Sequence, residues 1–353
     1  MIISLVLISL SAYLIWKASH SFDLAASYLT RNLNEGIKGP TINAIASSLP
    51  ELLISFFFLF YIGDIKGFSA GFATIIGSSI FNIAMIPTIS FIFIYYKKGT
   101  KRFPTDKSII EQDGLFLIIT EVALLIGLYY GGISIVLSSI LILLYILYIG
   151  FVFYKRGNQS DSVSKDSGFE YDYTDDSFIQ KVLKVDIAGL VLSNKSISKT
   201  NSISILIISL VIISLACKQL VSSSEHLSEQ IGLNIFFVTF FIAAIASSIP
   251  DTILSIKDAS NEKYKDSFSN AYGSNIFDIC IGIGLPVLVY LLINGTEDIE
   301  VKSDNIILIS SILLITFTIP ITLIYWLKPI NFFRSLFIML LYIVFLTIVF
   351  LLT

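Results

Sequence analysis

Charged residues are scarce in this sequence. Only 14% of its 353 residues are Asp, Glu, Lys or Arg, and 55% are hydrophobic, whereas a soluble domain usually carries about 25% charged residues. The mean hydropathy is +0.84, more apolar surface than a water-soluble fold of this size can hide. The composition therefore excludes a soluble enzyme, a nucleic-acid-binding protein and a disordered scaffold, and it predicts an integral membrane protein surrounded by a lipid bilayer.

Cysteine and histidine are also scarce, with two residues of each. Cys217 and Cys280 lie in apolar runs, so neither a disulfide framework nor a zinc-binding spacing is present. His20 and His226 are too few for a His-rich metal site. No basic residue precedes the apolar run 1–15, which is why we interpret this run as a membrane span and not as a secretory signal.

Long apolar runs make up most of the chain. A helix needs about 20 apolar residues to cross a bilayer, and ten segments meet this need. If the N-terminus is outside, nearly all of the 23 Lys and Arg residues fall in inner loops, apart from Lys17 and Lys218 within spans and Lys66 and Lys302 outside. The positive-inside rule then predicts that both termini are extracytoplasmic. The predicted spans are 2–30, 40–62, 68–95, 113–130, 132–154, 203–224, 234–256, 270–293, 304–327 and 333–352.

One long polar segment, 155–200, separates the fifth span from the sixth, and we predict a cytoplasmic linker there. Its acidic cluster of Asp172, Asp175 and Asp176 has two interpretations, a weak regulatory Ca2+ site or a solvated linker, and the composition favours the linker. The segment 178–192 is typical of an amphipathic helix at the membrane interface.

The two halves of the chain repeat each other. Residues 45–52 (IASSLPEL) match 245–252 (IASSIPDT), 200 positions later, and residues 77–83 (GSSIFNI) match 273–279 (GSNIFDI), 196 positions later. Five spans per half is an odd number, so the second half enters the membrane from the opposite side. We therefore predict an all-α membrane fold of ten transmembrane helices in two inverted five-helix repeats, with interrupted helices at the centre. The halves are 1–154 and 201–353, with the repeat motifs in about 40–90 and 234–290.

Two acidic residues lie inside apolar spans at matched positions, Glu51 and Asp251. A charged side chain at mid-bilayer costs about 2.5–3.5 kcal/mol, and no Lys or Arg is expected at that depth. Pro50 and Pro250 precede the acids. Because proline has no backbone N–H, each leaves a backbone carbonyl of its helix without a hydrogen-bond donor. Carboxylate, hydroxyl and carbonyl oxygens together suit hard cations such as Ca2+ and Na+, so a transported cation is the expected partner of the acids.

A second pair of motifs supplies further oxygen ligands. Ser78 and Asn82 are four residues apart and share a helix face, as do Ser274 and Asp278. Gly77 and the equivalent glycine at position 273 permit close helix packing beside them. Four helices can thus bring Glu51, Asn82, Asp251 and Asp278 to one point.

At these residues the chain resembles the sodium/calcium exchanger branch of the calcium/cation antiporter superfamily. The resemblance implies two inverted five-helix halves and an antiporter. It implies that Glu51 and Asp251 are shared by the Ca2+ site and flanking Na+ sites, and that Asn82 and Asp278 flank the centre. It also implies that the Ser47 and Ser247 carbonyls bind Ca2+, and that the Na+ sites are formed by the hydroxyls of Ser48, Ser78, Ser248 and Ser274 with the carbonyls of Ala44 and Ala244.

Two kinds of departure from the family pattern occur, at three positions. Alanine, at 46 and 246, replaces the glycine expected before each Ser-Ser pair, and Ser79 replaces an asparagine. Alanine is the better helix former, so a smaller helix break is expected. The second-half motifs also resemble those of the potassium-dependent branch, which makes K+ co-transport a further hypothesis.

The sequence thus predicts a secondary antiporter that exchanges Na+ for Ca2+ by alternating access, and not an enzyme. Its partners are the transported ions and the lipid bilayer, with no cofactor and no protein partner implied, and its expected location is a prokaryotic plasma membrane. One alternative is coupling of Ca2+, or of another cation, to H+. The others are an intramembrane aspartyl protease that uses Asp251 and Asp278, and a cation channel.

Overall fold

The computed structural model describes residues 1–33, 37–130, 132–156, 176–193, 196–296, 298–301 and 305–352. The predicted regulatory residues Asp172 and Asp175 lie outside this part of the chain, as do residues 157–175 and 194–195 of the predicted linker. Asp176 is described, and it forms a salt bridge with Lys184 at 2.7 Å.

The described chain is built almost entirely of helices, as predicted. Two three-residue strands pair antiparallel and join two connecting segments. The elements of the first half are α1 (Ile2–Leu29), π1 (Gly39–Asn43), α2 (Ala44–Ile62), α3 (Asp64–Lys98), α4 (Lys107–Tyr129), β1 (Gly132–Ser134) and α5 (Ile135–Arg156). Between the halves lie α6 (Phe178–Leu183) and α7 (Ile187–Leu192).

The second half contains the same succession of long helices in more pieces. Its elements are α8 (Lys199–Ile231), α9 (Ile235–Val238), π2 (Thr239–Ala243), α10 (Ala244–Ser247), α11 (Ile249–Ser260), α12 (Tyr264–Phe277), π3 (Asp278–Ile283), α13 (Gly284–Asn294), β2 (Asp298–Glu300), α14 (Asn305–Leu327) and α15 (Phe332–Leu352).

Nine stretches of the described chain are long and apolar enough to cross a membrane. They do not include α4, the 23-residue helix on which the predicted span 113–130 falls. The chain is therefore an all-α membrane protein, and the number of ten spans stays a prediction.

The two Pro-containing helices differ between the halves. In the second half the helix ends at Ser247 and resumes at Ile249, and Pro250 lies in the first turn of α11, where its fixed φ suits a helix start. In the first half α2 continues through Pro50, so the predicted interruption occurs at only one of the two matched positions. Each of these helices is preceded by a π-helical segment, π1 or π2.

The helices pack in corresponding pairs across the two halves. Helix α4 of the first half packs on α12 of the second half, and its counterpart α14 packs on α3 of the first half. Likewise, α5 packs on α13, and its counterpart α15 packs on α3. Helices α1 and α8 pack mainly on each other and form an apolar cluster separate from the large core around α3 and α12. This exchange of partners suits a two-fold arrangement, although the inverted relation of the repeats stays a prediction.

The predicted amphipathic helix over 178–192 is wrong as a single element. The chain turns at Val185, whose φ of 52° lies in the left-handed region and ends α6. Helix α6 has no buried residue, whereas α7 buries Ile187, Ala188 and Leu192 against α1 and α8.

Candidate cation-binding site

Asp251 lies in the first turn of α11 and is fully buried. Its Oδ1 accepts hydrogen bonds from Ser47 Oγ at 2.5 Å and from Ser274 Oγ at 2.6 Å. The Asn270 side-chain amide donates to the same oxygen at 3.1 Å. The N-terminus of a helix also favours a carboxylate, and this oxygen is held in place by three donors from two helices, α2 and α12.

Glu51, in α2, is the matched acid of the first half and is also fully buried. Its Oε1 accepts from Ser78 Oγ at 3.1 Å and from Ser248 Oγ at 3.4 Å. The two hydroxyls are 2.9 Å apart. Each acid is thus contacted by a serine from the opposite half, Asp251 by Ser47 and Glu51 by Ser248.

Asp278 joins the cluster through Ser78, whose hydroxyl lies 3.4 Å from Asp278 Oδ2. Asp278 begins the segment π3, and such π-helical turns occur frequently at functional sites. Asn82, its repeat counterpart, donates from Nδ2 to Ser78 Oγ at 3.3 Å. The structure therefore brings together the four residues that the sequence predicted to meet.

Each of the three carboxylates keeps one buried oxygen without a hydrogen-bond partner. These atoms are Glu51 Oε2, Asp251 Oδ2 and Asp278 Oδ1. The carbonyl oxygen of the Asn82 side chain is also buried without a hydrogen-bond partner. No Lys, Arg or His within the described ranges forms a salt bridge with the three acids. Burying such oxygens without a donor or a cation costs free energy, so the cluster has the ligands for a positive ion.

The remaining predicted ligands surround the same point but make local hydrogen bonds. Ser47 Oγ also lies 2.7 Å from the Asn43 carbonyl and 3.4 Å from the Ala44 carbonyl. Ser247 Oγ donates to the Ala244 carbonyl at 3.1 Å. Ser48 is fully buried beside them. Whether these hydroxyls and carbonyls bind ions stays a prediction.

Close backbone contacts between the halves hold the cluster together. A Cβ on Gly77 would lie 2.3 Å from the carbonyl oxygen of Phe240, and one on Gly273 would lie 2.6 Å from the Cα of Pro40. Both distances are too short for a real side chain, so only glycine fits. The matched motifs therefore need glycine because each packs against the π-helical segment of the other half.

Asn270 contacts the cluster although it is not among the predicted ligands. Its amide donates both to Asp251 and to Ser255 Oγ, the latter at 3.2 Å, and its own carbonyl oxygen has no partner. The available signal was its position, one helical turn before Ser274. The repeat gave no support, because the matched residue, 196 positions earlier, is Thr74.

Two further buried acids lie outside the cluster. Asp113 accepts from Arg156 Nη2 at 2.6 Å and from Ser269 Oγ at 2.9 Å, so Arg156 is a buried ion-pair partner and not a loop residue as the sequence suggested. Glu121 accepts from Thr318 Oγ1 at 2.8 Å. In the described part of the chain no three His, Cys, Asp or Glu side chains form a compact metal-binding group, because serine hydroxyls separate the carboxylates of the cluster.

The chain is similar to several curated proteins over part of its length. It is 35% identical over 83 residues to sodium/potassium/calcium exchanger 1 of Bos taurus and of Homo sapiens, which is 24% of this chain and 7% or 8% of theirs. It is 33% identical over 106 residues to exchanger 2 of Rattus norvegicus, or 29% of this chain and 16% of that one. The matched part is thus a small fraction of these relatives.

Solved structures share the fold along the whole chain. A crystal structure of the H+/Ca2+ exchanger CAX superposes with a TM-score of 0.75 at 15% identity, covering 98% of this chain and 84% of that one. The sodium-calcium exchanger NCX_Mj, soaked with 2.5 mM Na+ and 1 mM Sr2+, gives a TM-score of 0.60 at 20% identity, covering 98% and 97%.

The family profile described as "Sodium/calcium exchanger protein" matches residues 3–154 and 201–351. These two segments are nearly the whole chain, and each contains one copy of the Pro-acid motif and one copy of the Gly-Ser motif. The chain therefore belongs to the sodium/calcium exchanger protein family.

Proposed function

We propose that the protein is a secondary active antiporter that exchanges Na+ for Ca2+ across a membrane by alternating access. The observation that carries the proposal is the buried cluster of Glu51, Asp251 and Asp278, in which each carboxylate has an unpaired oxygen and none forms a salt bridge with a described Lys, Arg or His. The side chains that hydrogen-bond to the three acids are serine hydroxyls and the amide of Asn270, and a site of carboxylate and hydroxyl oxygens favours hard cations over Zn2+ or Cu+. Membership of an exchanger family makes the chain a transporter, and it argues against the protease alternative.

Coupling follows from competition for the same carboxylates. Glu51 and Asp251 have the charge to neutralise one Ca2+ or two Na+, but not both sets of ions at once. A filled and neutral cluster tolerates closure on both sides better than an empty charged one, so the ions favour the occluded state. Exchange of more than two Na+ for each Ca2+ makes transport electrogenic.

Asp278 is the proposed position for discrimination among monovalent ions. Its repeat counterpart is the neutral Asn82, so the third negative charge is present in only one half. The relatives named sodium/potassium/calcium exchangers support K+ co-transport as the finer hypothesis. We propose that the third charge binds a K+ or an additional Na+.

The alternative is an antiporter that couples Ca2+ to H+. Ser78 links Glu51 and Asp278 through one hydroxyl, an arrangement in which neighbouring carboxylates share protons because two adjacent negative charges repel each other. The fold is compatible with this alternative, since the H+/Ca2+ exchanger CAX has the same architecture.

The test is 45Ca uptake into proteoliposomes loaded with Na+, with Na+ plus K+, or with acidic buffer. The proposal expects uptake that requires an outward Na+ gradient. A further requirement for K+ supports the finer hypothesis. Uptake driven by a pH gradient and indifferent to Na+ would replace the proposal by the H+-coupled alternative.

We also propose the location and orientation that the sequence predicted. The protein then lies in a prokaryotic plasma membrane with both termini extracytoplasmic and the segment 155–200 cytoplasmic. Accessibility of single cysteines introduced at the termini, measured in intact cells, tests this orientation.

A further inference from the structure

A buried ion pair joins three helices beside the carboxylate cluster. Asp113 of α4 and Arg156 of α5 are 0% and 7% exposed, and their charged groups lie 2.6 Å apart. Ser269 of α12 is fully buried and contacts both. Its hydroxyl donates to the second oxygen of Asp113 at 2.9 Å and accepts from Arg156 Nη1 at 3.2 Å. Both oxygens of Asp113 therefore have partners, so the three side chains form a complete hydrogen-bond network and not an ion site.

A buried ion pair is a weak means of stabilising a fold. The cost of removing two charges from water often exceeds their attraction, and apolar replacements of such pairs are often neutral or stabilising. What an arginine does supply is geometry, because its planar guanidinium presents several donors in fixed directions. Arg156 uses two of them here, Nη2 toward Asp113 and Nη1 toward Ser269. The network therefore fixes the place of Ser269, and with it α12, relative to α4 and α5.

Ser269 is followed directly by Asn270, which contacts the cluster. The Asn270 amide donates to Asp251 Oδ1 at 3.1 Å and to Ser255 Oγ at 3.2 Å, both on α11. Adjacent side chains of an α-helix point about 100° apart, so Ser269 faces α4 and α5 while Asn270 faces α11. The placement of α12 that Ser269 fixes is thus the placement from which Asn270 reaches Asp251.

The network is not repeated at the matched positions of the two halves. Helices α4 and α14 both have 23 residues, and the residue of α14 that corresponds to Asp113 is Ser311, whose hydroxyl donates to a carbonyl of its own helix at 2.9 Å. The residue matched to Ser269, 196 positions earlier, is Ala73. The network therefore serves the acid of the second half, Asp251, and has no equivalent for the acid of the first half.

We infer that the ion pair of Asp113 and Arg156 positions α12, through Ser269, for cation binding at the cluster. These three residues touch no ion, and they act through Asn270, whose amide holds Asp251 Oδ1 in place. The rigidity of a site tunes its affinity for Ca2+, so a fixed carboxylate binds the ion more tightly than a mobile one. The inference rests on the proposed function in that it needs a cation at the cluster, and it holds for Na+ and for H+ coupling alike.

Two conservative variants separate positioning from the charge of the pair. Ser269→Ala removes the hydroxyl that connects α12 with the pair and leaves both charges in place. Arg156→Lys keeps the charge opposite Asp113, but its single nitrogen does not reproduce the two contacts of the planar guanidinium. Ser311→Ala is the matched control, because it removes a buried serine hydroxyl at the corresponding position, where the hydrogen bond is local.

Ca2+ binding to the purified full-length protein is read from the rise of the melting temperature with Ca2+ concentration, and 45Ca uptake is measured in parallel. We expect Ser269→Ala and Arg156→Lys each to raise the half-saturating Ca2+ concentration about three- to tenfold, the effect of about one hydrogen bond. Ser311→Ala should leave it unchanged. A purely structural role would lower the melting temperature without Ca2+ and leave the half-saturating concentration as it is, and that result would overturn the inference.

A double-mutant cycle tests the route through Asn270. Asn270→Ala removes the donor to Asp251, so Ser269→Ala added to it should raise the half-saturating concentration no further. Added to Asn82→Ala, which removes an amide of the first half, Ser269→Ala should keep its full effect. Equal effects of Ser269→Ala in both backgrounds would contradict the route.

The unsubstituted protein distinguishes failure of this inference from failure of the proposed function. If it neither takes up 45Ca nor gains melting temperature with Ca2+ or Na+, the proposed function fails, and the inference fails with it because the network has no cation site to position. If the unsubstituted protein binds Ca2+ and Ser269→Ala binds it equally well, the inference alone fails.

Discussion

The substitution Asp251→Asn removes one negative charge from the cluster while preserving its shape. The new Oδ1 can accept from the same three donors, Ser47, Ser274 and Asn270. The new amide nitrogen replaces Oδ2, the oxygen that has no hydrogen-bond partner. We therefore expect the variant to fold, because no existing hydrogen bond is lost.

Loss of ion binding should be large by comparison. Two unit charges 4 Å apart interact with about 4 kcal/mol at an effective dielectric constant of about 20, and a divalent ion doubles the charge product. Even the smaller value corresponds to about a thousandfold weaker Ca2+ binding, since about 1.4 kcal/mol is one factor of ten. Uptake at micromolar Ca2+ should then fall to background.

Two assays separate binding from folding. Size-exclusion profiles and melting temperatures without Ca2+ should match those of the unsubstituted protein, while the rise in melting temperature on adding Ca2+ should be absent. Glu121→Gln is the matched control, because Glu121 is a buried carboxylate with one unpaired oxygen that lies outside the cluster, and it should keep its uptake. Asp251→Asn with uptake within twofold of the unsubstituted protein would refute the site.

Three further changes test other parts of the structure. Gly77→Ala forces a Cβ against a backbone carbonyl and should cost about 1–3 kcal/mol, measured as a lower melting temperature in detergent, whereas Gly150→Ala, with open space around it, should not. Asp278→Asn should change the Na+ and K+ dependence of uptake more than the melting temperature, and an unchanged ion dependence would count against its proposed role. Arg156→Ala leaves Asp113 buried without its cation and should lower the free energy of unfolding by about 3–5 kcal/mol. The double variant Arg156→Ala with Asp113→Ala should recover part of that stability. A double variant as unstable as Arg156→Ala would show that the cost does not come from the unpaired carboxylate.

Much of the candidate site was predictable because the membrane makes polar residues conspicuous. A carboxylate inside an apolar span is expensive, so Glu51 and Asp251 stand out without any structure, and the repeated motifs point to Asn82 and Asp278. Asn270 carries no such signal, since it is uncharged and the residue at the matched position is Thr74.

The break at only one of the two Pro-acid motifs was not predictable for a different reason. Both motifs read Ala-Ser-Ser-x-Pro, and local propensity treats them alike. The structure interrupts the helix at Ser248 and not at Ser48. The residues that the two motifs share cannot distinguish them, so we attribute the difference to the packing around each helix.

The sequence by itself determined the membrane environment, the helical architecture and the acids of the candidate site, because these follow from the cost of placing polar groups in lipid. Only the tertiary structure decided which serine reaches which carboxylate and that Arg156 pairs with Asp113. Those partners lie from 23 to 204 positions apart along the chain, and hydrogen bonding over such separations depends on how whole helices pack and not on the residues next to each partner.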